Sequence, residues 1–221
     1  MKFLDPRRPG YAWLVVALLV PVALLNYLDR QMLAAMKFSV MRDIPDIGSE
    51  ANWGKILAFF KWTYAFLSPV GGYLADRFSR RHVIAGSLFV WSAVTWATAH
   101  AATFPQLLVT RAVMGVSEAF YIPAALALIA DYHLGPTRSR AVGMHQMGIY
   151  AGVIIGGFSG YAADRGVPAR EIVHPTRVAL TGKTAGPGLF ELMALLGRER
   201  VVGRLEAAVR YVQHSTGTAS P

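Results

Sequence analysis

The 221-residue sequence predicts an all-α protein: five transmembrane helices followed by a small soluble helical tail. Three observations carry this. Hydrophobic residues make up 54% of the chain and charged residues 16%, whereas soluble domains carry about a quarter charged residues. The mean hydropathy is +0.37, and the apolar residues are gathered into runs separated by short polar connectors. Near Asp164 the pattern breaks, the runs shorten and arginine becomes frequent. Residues 1–163 are therefore read as a membrane domain and residues 164–221 as a separate helical segment.

A helix crosses the hydrocarbon core with roughly 20 mostly apolar residues. Segments of that kind run from about Tyr11 to Met36, Ile56 to Ala75, His82 to Ala102, Leu107 to Ala130 and Ala141 to Ala163. The first follows Lys2, Arg7 and Arg8 in the manner of a signal peptide. With more spans behind it and no small-x-small cleavage site, it reads as an uncleaved span. Basic residues fall on one side, at Lys2, Arg7, Arg8, Arg77, Arg80, Arg81, Arg138 and Arg140, against Arg42 and Lys55 on the other. That asymmetry predicts a cytoplasmic N-terminus, and the expected location is a bacterial inner membrane, crossed several times. The fifth span carries Gly148, Gly152, Gly156 and Gly160, one face at four-residue spacing suited to close helix packing.

The chain has no cysteine, which removes disulfides, thiolate metal sites and cysteine nucleophiles. No His-Glu-x-x-His pattern occurs. No metal, cofactor or catalytic residue is expected.

Between the second and third spans lies Gly71-Gly72-Tyr-Leu-Ala-Asp76-Arg77-Phe-Ser79-Arg80-Arg81. Glycines allow close helix approach, and Asp76 can accept from a helix N-terminus or pair with the arginines. This run resembles the signature loop of the major facilitator superfamily, Gly-x-x-x-Asp-Arg-x-Gly-Arg-Arg, with Ser79 in place of a glycine. The resemblance covers about residues 12–163. It implies that Gly72, Asp76, Arg77, Arg80 and Arg81 gate the inner face. A simple positive-inside loop would explain the arginines, but not Asp76 and the glycines together.

Charges also fall inside the spans: Asp29 and Arg30 in the first, Lys61 in the second, Arg111 and Glu118 in the fourth. A charge at the membrane centre costs about 2.5–3.5 kcal/mol, so it usually faces a cavity or a partner. Arg111 and Glu118 share a helix face but stand roughly 10 Å apart along the axis, too far to neutralise each other. The first and fourth spans resemble the organic anion symporter branch of the superfamily. That resemblance implies an anionic substrate bound by Arg30 and protons exchanged by Asp29 and Glu118. The competing account is that these charges lock the two spans together. Lys61 either snorkels or lines the same cavity; Tyr64, His145 and Gln146 are weaker cavity candidates.

The tail reads as short helices over Pro175–Leu180 and Leu189–Leu196, the latter stopped by Gly197, and a longer one over Arg198–His214. Thr181-Gly182-Lys183-Thr184 is not a phosphate loop, because Arg177 stands where its first glycine is needed. The run from Ala169 to Leu205, with His174-Pro175, Arg177 and Thr181-Gly182-Lys183, resembles the anticodon-binding end of bacterial glutamyl-tRNA synthetase over about residues 165–212. By that resemblance Arg177 and the turn Pro187, Gly188, Leu189, Phe190 would lie near anticodon bases, where arginine hydrogen-bonds or stacks. The competing account is that the arginines are merely solvated. The synthetase signatures His-x-Gly-His and Lys-Met-Ser-Lys-Ser are absent, so aminoacylation is not expected.

The expected partners are thus the lipid bilayer, an organic anion with a proton, and tRNA if the tail folds and is cytoplasmic. Five spans starting inside would place the tail outside. Superfamily carriers have two six-span halves, and only five spans of one half are seen here. The chain is expected to be inactive alone, as a truncated transporter fused to a synthetase segment. A tRNA-binding fragment, or a fusion with no evolved role, are the alternatives.

Overall fold

The computed structural model describes residues 9–168, 170–183 and 189–217. Among these every regular element is helical: α1 Pro9–Ala35, α2 Lys37–Asp43, α3 Glu50–Arg77, α4 Arg80–Ala99, α5 Phe104–Tyr132, α6 Thr137–Arg165, α7 Arg170–Thr181, α8 Leu189–Leu196 and α9 Arg198–Gly217, with a 3₁₀ turn at Pro45–Ile47. Each predicted span corresponds to one of the long helices, although the first overruns α1 by one residue at Met36 and the third runs three residues past the end of α4 at Ala99. Four of these are long and apolar enough to cross a membrane: α1, α4, α5 and α6. The second predicted span is a full-length helix, α3, but is not among the four; Lys61, Trp62, Tyr64 and Tyr73 lower its hydropathy. The chain divides into two compact units, and the division passes through α1 and α6.

The first unit comprises Met1–Tyr27 and Lys37–Tyr150. Here α5 is the central helix and packs on α3 and α4. The α3–α5 crossing is close because glycines stand at it. A Cβ on Gly115 would lie 2.5 Å from the Phe60 carbonyl oxygen, and one on Gly71 would strike the Ala119 backbone. Lipid offers helices little hydrophobic incentive to associate, so such backbone approach and its dispersion contacts hold them. Val16 and Leu19 of α1, Ala75 of α3, and Tyr121 and Ile129 of α5 form the buried core. The start of α5 is fixed twice. Thr103 Oγ1 accepts the Gln106 N–H at 3.4 Å, and Asp46 of the 3₁₀ turn accepts the Phe104 N–H at 3.1 Å. Pro69 and Pro123 sit inside α3 and α5, as membrane helices tolerate.

The second unit comprises Leu28–Met36 and Ala151–Pro221. The glycine stripe is at work here as well. Gly156 meets the Leu28 backbone, and a Cβ on Gly160 would lie 2.5 Å from the Met32 carbonyl oxygen. α6 ends at Gly166, whose φ of 65° is the left-handed region that favours glycine. The Gly166 and Val167 N–H groups close the last turn on Ala163 and Ala162 at 3.1 and 3.0 Å. The tail then forms its own cluster from Leu180, Leu189 and Val201, with Leu192 and Leu205 against it. α7 begins earlier than the sequence suggested, at Arg170, with Pro175 inside it. A turn from the Glu171 N–H to the Pro168 carbonyl at 2.9 Å starts it upstream of that proline. α8 ends at Gly197 as expected, and α9 runs three residues past His214.

Candidate functional site

In the first unit α5 carries Arg111 and Glu118 into the interior, where they are 3% and 1% exposed. Between them Gly115 lets the α3 backbone at Phe60 come close. Asn26 of α1, 2% exposed, sets its carboxamide against Glu118; with the amide nitrogen assigned toward the acid, it donates to both carboxylate oxygens at 3.3 Å. An amide suits a carboxyl that changes protonation state. Its N–H serves the carboxylate, and after rotation its oxygen accepts from the protonated acid. Next to this pair the Ser87 hydroxyl of α4 donates to the Ser117 carbonyl at 2.7 Å. One turn further along α5, the buried Tyr121 hydroxyl donates to the Leu19 carbonyl at 3.2 Å and lies 3.3 Å from His145 Nε2.

The structure sorts the other intramembrane candidates. Asp29 and Arg30 lie half-buried in the last turns of α1, within the second unit. Lys61 is exposed on α3. Of the weaker candidates Tyr64 is half-buried, His145 buried and Gln146 exposed. Asn26 was not singled out from sequence, although a carboxamide in the middle of an apolar span is itself a signal.

The loop between α3 and α4 forms a second cluster. Arg80 pairs with Asp76 at 3.2 Å, forms an ion pair with Asp131 at the end of α5, and donates to the Ala127 carbonyl at 3.3 Å. Arg81 donates to the Tyr132 hydroxyl, with its guanidinium 5.9 Å from the centre of that ring. Together they frame an open pocket of about 360 Å³. Arg77 points outward and is exposed. The glycine that meets α5 is Gly71; a side chain at Gly72 would meet nothing within 4 Å. Asp131 was missed because it lies fifty residues downstream, and nothing in its local sequence marks it.

In the tail Arg177 is half-buried on α7, and its Nε has no hydrogen-bond partner among the described residues. Leu189 is a buried member of the tail cluster, so its side chain faces Leu180 and Val201. Phe190 lies in α8, its side chain outside what is described, and Pro187 and Gly188 lie outside the described residues. Among the described residues no group of acidic, histidine or cysteine side chains could hold a metal ion.

Comparison with known proteins finds a different relative for each part of the chain. Residues 19–167 match the Major Facilitator Superfamily, and residues 154–209 match the Anticodon binding domain. Protein spinster homolog 1 of Homo sapiens is 36% identical over 162 residues, covering 70% of this chain and 29% of that protein. Glutamate–tRNA ligase of Moorella thermoacetica is 35% identical over 101 residues, covering 46% of this chain and 19% of that protein. A crystal structure of a bacterial homolog to the human lysosomal transporter Spinster, inward-facing and unoccupied, superposes with a TM-score of 0.64 at 24% identity. That fit covers 88% of this chain and 42% of the other. The chain thus spans about a third of the curated Spinster relatives it matches. With the family matched over well over half its length, this chain belongs to the Major Facilitator Superfamily.

Proposed function

We propose that this chain supplies one wall of a proton-coupled organic anion carrier. The observation that carries the reading is Glu118, a carboxyl buried inside the helices and set against the Asn26 carboxamide, a group able to donate to a carboxylate or accept from a carboxylic acid. Arg30 and Arg111 are the cations for the carboxylate of the substrate, and Asp29 is a second proton-exchanging group. The Asp76–Arg80–Asp131 cluster closes the inner face when formed and opens it when broken. The N-terminus and the α3–α4 loop face the cytoplasm, on the side rich in Arg77, Arg80, Arg81, Arg138 and Arg140. α3 crosses the membrane as a fifth span, its Lys61 turned toward the opposing wall. Alternating access needs two bodies that rock against each other, so on this reading solute moves only with that second wall present.

Uptake of a labelled organic acid into proteoliposomes with an imposed pH gradient tests this, with the chain alone and with the C-terminal half of a bacterial relative added. The paired arm should show uptake that collapses in Glu118→Gln, and the chain alone should show none. Uptake that is equal with and without the gradient would remove proton coupling.

A second reading rests on the match of residues 154–209 to the Anticodon binding domain. It overlaps the superfamily match over residues 154–167, which brackets Asp164. We read that overlap as the junction of two sequences, with residues 164–221 as a tRNA-binding segment. Binding of tRNA to the full chain that weakens steeply with salt supports it; no binding at low salt removes it.

A further inference from the structure

One buried titratable side chain of the first unit has no part in the proposed carrier chemistry. His145 of α6 is 0% exposed and stands eight residues into the helix from Thr137, or about 12 Å along its axis. Its two ring nitrogens are differently placed. Nε2 lies 3.3 Å from the Tyr121 hydroxyl of α5, which donates to the Leu19 carbonyl of α1 at 3.2 Å. Nδ1 is buried and has no hydrogen-bond partner among the described residues.

These contacts assign the tautomer. A carbonyl only accepts, so the hydroxyl proton goes to Leu19 and the phenol oxygen is left to accept. Nε2 then carries the ring proton, and Nδ1 is a bare lone pair. The neutral imidazole thus ties α6 to α5, and through Tyr121 to α1. The seam is tight at this level. A Cβ on Gly148, three residues past His145, would lie 2.7 Å from the carbonyl oxygen of Val20, the neighbour of Leu19.

A second proton can land only on Nδ1. It would create a charged ring with a buried N–H that nothing accepts, the costly case for a polar group out of water. The surrounding groups do not supply the acceptor. α5 presents Tyr121 and, three residues earlier, Glu118, whose carboxylate is set against Asn26. A charged Glu118 attracts an imidazolium through space, but no oxygen of it reaches Nδ1. α1 carries no titratable side chain between Tyr11 and Tyr27, and α6 carries no charged one between Arg140 and Asp164.

We propose that His145 is a proton-operated latch on the junction of α1, α5 and α6, a device separate from proton exchange at Glu118. Neutral, it holds the junction closed through Tyr121. Protonated, it is accommodated only where α6 has drawn away and the new N–H finds an acceptor. Histidine ordinarily titrates near pH 6.5, within reach of physiological change. With the proton excluded from the closed form, acid favours the open one about tenfold for each pH unit below that value.

Hydrogen exchange of the full chain in nanodiscs, corrected for intrinsic rates, tests the latch. Between pH 8 and pH 5 amides around Leu19 and His145 should lose protection about thirtyfold, while α3 around Gly71 keeps its own. His145→Gln, which offers Tyr121 an N–H but takes no proton, should remove the step, and Glu118→Gln should keep it. Tyr121→Phe should lower protection already at pH 8 and so shrink the step. In spectra of the chain with ¹⁵N-labelled histidine at pH 8, the ring signal missing from His145→Gln should show a bare Nδ1. Equal protection at both pH values in the unaltered chain overturns the proposal, whether or not a variant folds. So does a full step in His145→Gln or Tyr121→Phe, or a protonated Nδ1 at pH 8. A step lost in Glu118→Gln and kept in His145→Gln would make Glu118 the sensor, removing the latch but not the carrier reading.

Discussion

The long apolar helices and the tail helices α7–α9 solve packing in different ways. In the first, α3 and α5 meet through Gly71 and Gly115 with backbone against backbone, and the interior carries Asn26, Arg111 and Glu118. In the tail, α7, α8 and α9 meet through Leu180, Leu189 and Val201, and Arg170, Arg198, Arg200 and Arg210 stay outside while Arg177 is half-buried. The contrast follows from solvent. Between helices in lipid there is no water to expel, so proximity and polar contacts hold the structure. In water the same result comes from removing apolar area from solvent, and charge is left at the surface.

The sharpest way to break this comparison is to add volume at the α3–α5 crossing. Gly71→Leu should abolish the folded bundle or cost it about 3 kcal/mol or more, because the Ala119 backbone cannot yield as a side chain would. Gly72→Leu, one residue on and facing open space, should shift thermal unfolding in detergent by about 0.5 kcal/mol or less. Equal losses at both positions would mean that backbone proximity is not what joins these helices.

The matching experiment in the tail removes volume. Leu189→Ala should cost about 2–3 kcal/mol, and for so small a cluster that melts α7, α8 and α9 together. Hydrogen exchange should then speed up across residues 170–217 and remain slow in α5. Loss of protection in α5 as well would show the two units to be one cooperative structure.

A smaller effect is expected at the inner loop. Arg80→Ala removes contacts to Asp76, Asp131 and the Ala127 carbonyl at once. These groups are partly exposed, so the loss should be about 1 kcal/mol and should shrink at high salt. Asp131→Asn should reproduce most of it. An unchanged melting temperature in both variants would leave the cluster a bystander to stability.

The long helices were legible because a span needs length and apolarity, and both are written locally. So was the stop at Gly197, where a left-handed turn favours glycine. The loop motif could be read, but its partner Asp131 could not, since only the fold brings the end of α5 to Arg80. Arg111 and Glu118 stood out as charges inside an apolar run. Asn26 did not, because an uncharged amide barely disturbs hydropathy although its hydrogen bonds matter as much. The start of α7 was misjudged because Pro175 looked like a first residue, whereas the preceding Pro168–Glu171 turn had already opened the helix.

The smallest effect separates the units by pH. Lys37 donates to Glu50 at 2.6 Å in the first turn of α3, and this hydrogen bond, with the attraction of the charges, holds the Glu50 carboxyl below its ordinary value of 4.5. A carboxyl whose folded value is depressed stabilises the folded state above its unfolded value, and that contribution fades as pH falls through the folded value. Since Glu50 is fully exposed, the contribution should be local rather than global. Amide exchange should therefore quicken at the α2–α3 connection as pH drops below about 4.5, after correction for intrinsic rates, while the tail cluster shows no matching step. Glu50→Gln should remove the step, because a neutral amide keeps a hydrogen bond to Lys37 but has no proton to gain. A step that persists in that variant would show that the acid sensitivity of the connection does not come from the Lys37–Glu50 pair.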